Sequence, residues 1–280
     1  MNSATMSFDA QNAASGAFQA LTPDGAVLRA RAIGNGPALV LVSGLGGTAD
    51  FWASSAETLA RSFRVVCFDQ RGIGASTRGQ APCTIDQLAL DCLCVMDAAD
   101  VTRAVVLGHS TGGCVGQSLA RLAPGRLDGL ILSAAWLGPS RYMAGLFGAR
   151  RAILAGNPQA YAAMMTLMAY PPAWLEANWS VFEAAVANAP ITPEARRVVS
   201  ERIDALLAFD GSASIARLPM PAMVLGARDD MVAPLFLQEA LAAAMPGVRM
   251  TTLDSGGHFF PVSKPDAFTA TVAEWIGALG

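Results

Sequence analysis

The sequence predicts an α/β fold: a mostly parallel sheet flanked by helices, with a helical block inserted between two of its strands. Three observations carry this. Short β-branched runs recur along the 280 residues, most of them ahead of a stretch with helical periodicity. Most of the runs are nearly all apolar rather than alternating, as expected of strands covered by helices on both faces. One long stretch, from about Leu137 to Ala213, holds no convincing strand at all.

In order, the alternating "AVLRARAI" (26–33) predicts an antiparallel edge strand near the start. "ALVLV" (38–42), "RVVCF" (64–68), "RAVVL" (103–107), "GLILSA" (129–134), "AMVLG" (222–226) and "VRMTTL" (248–253) predict the remaining strands. Helical spacing follows at about 52–61, 84–98, 112–123, 235–244 and 266–278, the last with Ser263 and Pro265 where a cap and first turn belong. The strandless stretch is rich in Ala, Met and Leu and broken by Pro158, Pro171-Pro172, Pro190 and Pro193. At roughly 75 residues it far exceeds what a crossover needs. It predicts a helical cap over 137–213, inserted into a core made of 1–136 and 214–280.

Composition bounds the function. Hydrophobic residues make up 53% and charged residues 15%, enough for a sizeable core. A net charge of −3 with no basic cluster argues against a nucleic-acid partner. The first basic residue is Arg29, so a secretory start is not expected, and no apolar run reaches the ~18–20 residues of a membrane span. A soluble, cytoplasmic protein acting on a small molecule is expected; no motif speaks to oligomeric state. Cys67, Cys83, Cys92, Cys94 and Cys114 are irregularly spaced, and with two histidines in the chain they predict buried thiols rather than a zinc site.

"VLGHSTGG" (106–113) carries the chemistry. Gly108-x-Ser110-x-Gly112 follows a strand and opens a helix, the context of a nucleophile elbow, where small neighbours let a strained serine protrude. A serine hydroxyl needs a base. His109 is adjacent, and neighbours on such a turn point apart; that leaves His258 in "DSGGHFFP", after the last strand. "ARDDMVAP" supplies Asp229 and Asp230, either of which could orient the imidazole. The Thr111 amide, directly after the serine, is one expected donor to a tetrahedral oxyanion, and the glycine-rich loop after "ALVLVSGLGG" is the expected source of a second. That loop has neither G-x-G-x-x-G nor a P-loop lysine, so phosphate binding is not expected.

"SGLGG", "DQRGIGAS", "GHSTGG", "ARDDMVAP" and "GGH", in that order, resemble the α/β-hydrolase superfamily across nearly the whole chain. The resemblance implies a serine, acid, histidine order. Its P-x-L-V-x-x-G-x-x-D-x-x-x-P pattern, laid from Pro221 to Pro234, selects Asp230, with Ala227 in the glycine's place; Asp229 fits the spacing from Gly226 instead. Ser43-Gly44 stands where many members have His-Gly, which implies Leu45 N–H as the second oxyanion donor. Asp69 and Arg71, in the D-x-R-G-x-G-x-S turn, are expected to tie loops together.

Within the superfamily, "LVSGLGGTADFW", "VVCFDQRGIGAS" and "AYPPAWL" look most like aminoacrylate hydrolases, which act on small amino-acrylate or carbamate-like molecules. The chain is also similar, more loosely, to 3-oxoadipate enol-lactonases and small carboxylesterases. Haloalkane dehalogenases place aspartate where Ser110 stands. The expectation is a serine hydrolase of an ester, lactone, amide or carbamate, with no cofactor and no metal. A C–C bond hydrolase and a non-catalytic ligand sensor are the alternatives. Met164, Met165, Met168, Trp174 and Trp179 are candidates for an apolar pocket wall, and Arg71, Arg141, Arg150 and Arg151 for holding a carboxylate.

Overall fold

The computed structural model describes residues 16–138, 140–215 and 218–279. The N-terminal segment on which the absence of a secretory start was judged lies outside them. Eight strands, β1 (Gly16–Leu21), β2 (Val27–Ile33), β3 (Ala38–Val42), β4 (Arg64–Phe68), β5 (Ala104–His109), β6 (Leu127–Ser133), β7 (Ala222–Ala227) and β8 (Arg249–Leu253), form one sheet. Its order is β1-β2-β4-β3-β5-β6-β7-β8. β1 and β2 pair antiparallel, as do β2 and β4, and every later pair is parallel.

The expected edge strand over 26–33 is therefore internal. β1 takes the edge, and its sequence, GAFQAL, has no β-branched residue to announce it.

The apolar strands serve two cores. Val40, Val42, Val66 and Phe68 face one layer; Leu39, Leu41, Val65 and Cys67 face the other. Because successive side chains point to opposite faces, a strand covered on both sides has no position left for a polar residue. Helices α2 (Ile85–Ala98), α3 (Thr111–Leu122) and α10 (Leu235–Ala243) supply the first layer. α1 (Ala53–Leu59) and α12 (Pro265–Gly277) supply the second, with Trp52 and Trp275 among the buried residues. α2 starts where Thr84 Oγ1 accepts the Gln87 amide at 3.0 Å. The expected Ser263 cap on α12 does not form: Lys264 is the N-cap, and Ser263 Oγ donates to Gly256 O at 2.6 Å.

Between β6 and β7 come α4 (Arg141–Gly156), α5 (Pro158–Ala169), α6 (Pro172–Ala177), α7 (Trp179–Ala187), α8 (Pro193–Ala208) and the short α9 (Ser212–Ile215). No strand occurs among the described residues of this insert. α4, α5 and α8 start on caps from Ser140, Asn157 and Thr192, each side chain accepting an amide three residues on. The insert touches the core at two places that matter: Ala169 O accepts the Phe259 amide at 2.9 Å, and Arg202 of α8 reaches the loop after β3. No helix among the described residues is long and apolar enough to cross a membrane. Short α11 (Phe260–Ser263) follows the histidine loop.

Candidate active site

β5 runs into α3 through a single residue, Ser110, held at φ +57°, a value bulky residues rarely take. The turn is possible because backbones touch on both sides. A methyl built on Gly108 would lie 2.0 Å from Gly112 O, and one on Gly112 would lie 2.1 Å from Val42 O. The turn is locked by Ser110 N–H donating to Ser133 O (2.7 Å) and Gly113 N–H to Ser110 O (2.8 Å). Ser110 occupies the N-cap position of α3 yet does not cap it. A serine there ordinarily folds back onto the first turn; this one leaves its hydroxyl free for another partner.

That partner is His258. Its Nε2 lies 2.9 Å from Ser110 Oγ, and its Nδ1 lies 2.9 Å and 3.1 Å from the two oxygens of Asp230. All three side chains are buried. Asp230 Oδ1 also accepts the amides of Val232 and Ala233, both at 2.8 Å, so the carboxylate cannot swing away. With Asp230 accepting from Nδ1–H, Nε2 is left unprotonated toward the serine. Asp229 faces elsewhere: its carboxylate accepts the amides of Gly256 (3.1 Å) and Gly257 (2.9 Å), setting the loop that carries His258.

His109 is turned to the sheet, with Nδ1 2.9 Å from Ser133 Oγ and its ring stacked on Phe51 at 5.2 Å. Burial, reinforced by the neighbouring His258, pushes its pKa well below the ordinary histidine value. It stays neutral and does not compete for Ser110.

The loop Ser43-Gly44-Leu45-Gly46-Gly47 borders the serine. A methyl built on Gly44 would stand 3.0 Å from Ser110 Cβ and 3.4 Å from its Oγ. Leu45 lines the cavity above the serine, while Thr111 is buried at the first position of α3, where the helix presents its positive end. Neither the Leu45 nor the Thr111 amide is hydrogen-bonded to another described residue. The expected tie residues lie beneath. Asp69 accepts the Ala49 (2.8 Å) and Ala75 (2.9 Å) amides. Arg71 is fully buried between Asp24 (2.9 Å) and Asp91 (2.5 Å), and holds the Asp24 carboxyl well below its usual range.

The cavity, about 900 Å³, lies between this loop and the insert. Of the five apolar candidates, Met165 lines it. Trp174 stacks instead on Tyr170 (4.7 Å) and Trp179 on Phe182 (4.4 Å). Of the four arginines, Arg150 is in the wall, whereas Arg71 is paired as above and Arg151 pairs with Asp204 at 2.5 Å. Arg150 is 2% exposed, donates to Tyr161 OH at 2.9 Å and lies over the Phe147 ring at 4.6 Å. Among the described residues no carboxylate pairs with it, and its Nε has no partner. The wall also carries Asp50, whose exposed carboxylate faces Arg31 at 3.6 Å.

Sequence reasoning missed Arg202, which lies against this loop. Its signal was present: in "VVSERIDALLA" it falls between Val198 and Ala205 on the apolar face of a helix. The described residues contain no cluster able to hold a metal ion, and all five cysteines are free.

A parallel sheet with an antiparallel start, a serine on a strained strand-to-helix turn and a histidine within reach define a hydrolase of the α/β type. The chain belongs to the alpha/beta hydrolase fold family, whose sequence model matches residues 37–265. Among curated proteins it is 34% identical over 247 residues (88% of this chain, 93% of the other) to one from Azorhizobium caulinodans named "Putative carbamate hydrolase RutD". It is 35% identical over 248 residues (86% and 94%) to a protein of the same name from Pseudomonas savastanoi. A solved hydrolase from Pseudomonas aeruginosa superposes with a TM-score of 0.83 at 32% identity, covering 93% of this chain and 98% of its own. The enol-lactonase from Burkholderia xenovorans superposes at 0.81 with 26% identity, covering 90% and 97%.

Proposed function

We propose that this hydrolase is a serine hydrolase that cleaves a small ester, lactone, amide or carbamate through an acyl-enzyme. One observation carries the reading: Ser110 Oγ and His258 Nε2 are 2.9 Å apart while Asp230 holds the opposite ring nitrogen. In the first step His258 Nε2 takes the hydroxyl proton as Ser110 Oγ attacks the carbonyl carbon. The carbonyl oxygen becomes an oxyanion facing the amides of Leu45 and Thr111. Collapse of the tetrahedral species expels the leaving group, which takes the proton from His258. Water then attacks the acyl-enzyme, His258 accepts its proton, and the second collapse returns that proton to Ser110. The base is worth ~10²–10⁴ in rate and each oxyanion donor ~10²–10³.

Residues 137–213 act in this reading as a cap over the cavity, on a core formed by 1–136 and 214–280. The RutD name supports a carbamate or a related small acyl group as substrate. Arg150, buried in the wall with no carboxylate partner among the described residues, supports a substrate with an anionic substituent. Free thiols suit a reducing cytoplasm.

The test is turnover of p-nitrophenyl esters from acetate to octanoate, then lactones and carbamates, by wild type, Ser110→Ala and His258→Ala. Each variant is expected to lose at least about 10⁴ in kcat, because the three groups act as a unit. Turnover that survives Ser110→Ala refutes the mechanism. A wild type inert on every carbonyl substrate but stabilised by ligand is a sensor.

A further inference from the structure

The reaction above leaves Arg202 without a task, yet its placement is specific. It projects from α8 and is 1% exposed. Its Nε donates to Leu45 O at 2.9 Å, and its Nη2 donates to Gly44 O at 3.1 Å and to Gln70 Oε1. Gln70 Nε2 in turn donates to Ser43 O at 2.6 Å. Three consecutive carbonyls, 43 to 45, are thus held by one arginine–glutamine pair. Burial pushes this guanidinium below the ordinary arginine pKa, its Nη1 has no partner, and no carboxylate among the described residues pairs with it. A cation is kept here at a desolvation cost, and what it receives in return is backbone carbonyls.

Those carbonyls belong to the peptides beside Ser110. In Gly44-Leu45-Gly46-Gly47 one residue in four has a side chain, so packing cannot set how the peptides face. Hydrogen bonds must. The peptides are trans, and in a trans peptide the C=O and N–H point opposite ways. Drawing Gly44 O toward Arg202 therefore turns Leu45 N–H away from Arg202. Gly44 O also accepts Gly47 N–H at 3.1 Å, which closes the turn. For Leu45 O, Arg202 is the sole partner among the described residues.

We propose that Arg202 is a positioning residue that fixes the Gly44–Leu45 and Leu45–Gly46 peptides so that Leu45 N–H faces the developing oxyanion, making this donor depend on the docking of an inserted helix. The inference rests on the serine-hydrolase reading. Its chemistry is that of preorganisation: a donor already aimed needs no reorientation as charge develops. A guanidinium suits the task because its planar fork fixes the directions of the donors to two carbonyls, whereas the three donors of an ammonium rotate freely.

The experiment compares wild type, Arg202→Met and Arg202→Lys, each first checked for folding by circular dichroism and melting. With p-nitrophenyl acetate, Arg202→Met is expected to lose about 10–100-fold in kcat with KM within about threefold, less than the ~10²–10³ for deleting a donor because a loosened amide still samples the right direction. A boronic acid, whose serine adduct is tetrahedral, is expected to bind Arg202→Met more weakly by a similar factor. Phosphonylation of Ser110 by a fluorophosphonate is expected to slow in parallel. Arg202→Lys is expected to fall between Arg202→Met and wild type, and it carries the test if Arg202→Met does not fold. A folded variant of either kind with wild-type kcat and labelling rate overturns the proposal, as does lost kcat with unchanged boronic acid affinity. Ser110→Ala, assayed beside them, separates the two readings. If it retains turnover, the serine-hydrolase reading itself fails; if it is dead while Arg202→Met runs at full speed, the inference about Arg202 fails alone.

Discussion

Replacing Asp230 with asparagine separates the two adjacent aspartates. The change keeps the shape of the side chain, and its Oδ1 can still accept the Val232 and Ala233 amides, now at 2.8 Å, so the turn should hold. What changes is the atom facing His258 Nδ1. An NH₂ group there donates instead of accepting, so Nδ1 must become the acceptor and the ring proton moves to Nε2. Nε2–H then points at Ser110 Oγ across the 2.9 Å contact and can take no proton from it. Loss of the right tautomer with geometry intact costs a factor of about 10⁴ in kcat. At 1.36 kcal/mol per decade this is about 5.5 kcal/mol in the barrier. Asp229→Asn, by contrast, loosens only the tether to Gly256 and Gly257, and less than about tenfold is expected from weakening two peripheral bonds of ~1 kcal/mol each. The assay is steady-state hydrolysis of p-nitrophenyl acetate by both variants, with melting curves to confirm folding. The reasoning is refuted if Asp230→Asn stays within tenfold of wild type, or if Asp229→Asn is equally slow.

Gly112→Ala places a methyl 2.1 Å from Val42 O, between backbones that cannot separate without moving β3. It should cost the upper part of ~1–3 kcal/mol, and at about 2–4 °C per kcal/mol the melting temperature should fall by roughly 6–10 °C; an unchanged melting temperature contradicts the close approach. His109 is neutral in the fold because its pKa is depressed, whereas in the unfolded chain it takes up a proton below pH ~6.5. The unfolded state therefore binds more protons, and this residue removes stability as pH falls below that value. In His109→Asn, which can keep the Ser133 contact, urea unfolding between pH 7 and 5 should show a shallower acid-side loss than wild type; parallel curves would mean the residue protonates equally in both states. Arg150→Met should lower kcat/KM for esters carrying a carboxylate, by about 10-fold or more if a desolvated charge-assisted bond of ~1.5–3 kcal/mol is lost. It should leave neutral esters within about threefold, and equal losses on both would place Arg150 in structure rather than in substrate selection.

Much of the architecture is legible in the residues because the signals are local. β3, β4 and β5 are read from β-branched runs, and the turn at Ser110 from glycines whose backbones must meet. β1 escapes because GAFQAL lacks those residues and owes its strand state to pairing with β2. The Ser263 cap is misread because Ser263 ends α11, which puts Lys264 at the N-cap of α12, while the Ser263 hydroxyl donates to Gly256 O, seven residues earlier in the chain.

By itself, then, the sequence determined seven of the eight strands, the helical insert and the presence of a serine and a histidine after two of those strands. Each of these follows from spacing along the chain. The tertiary structure alone decided which of four arginines stands in the cavity wall, and that Arg202 crosses from the insert to Gly44 and Leu45. Consecutive residues on a turn point in different directions, so residue identity leaves Asp229 and Asp230 alike; the Pro221–Pro234 spacing of the family resemblance selects Asp230, the carboxylate found against His258 Nδ1. An arginine's long stem reaches whatever the fold brings near it, and residues 157 apart in the chain carry no local trace of their contact.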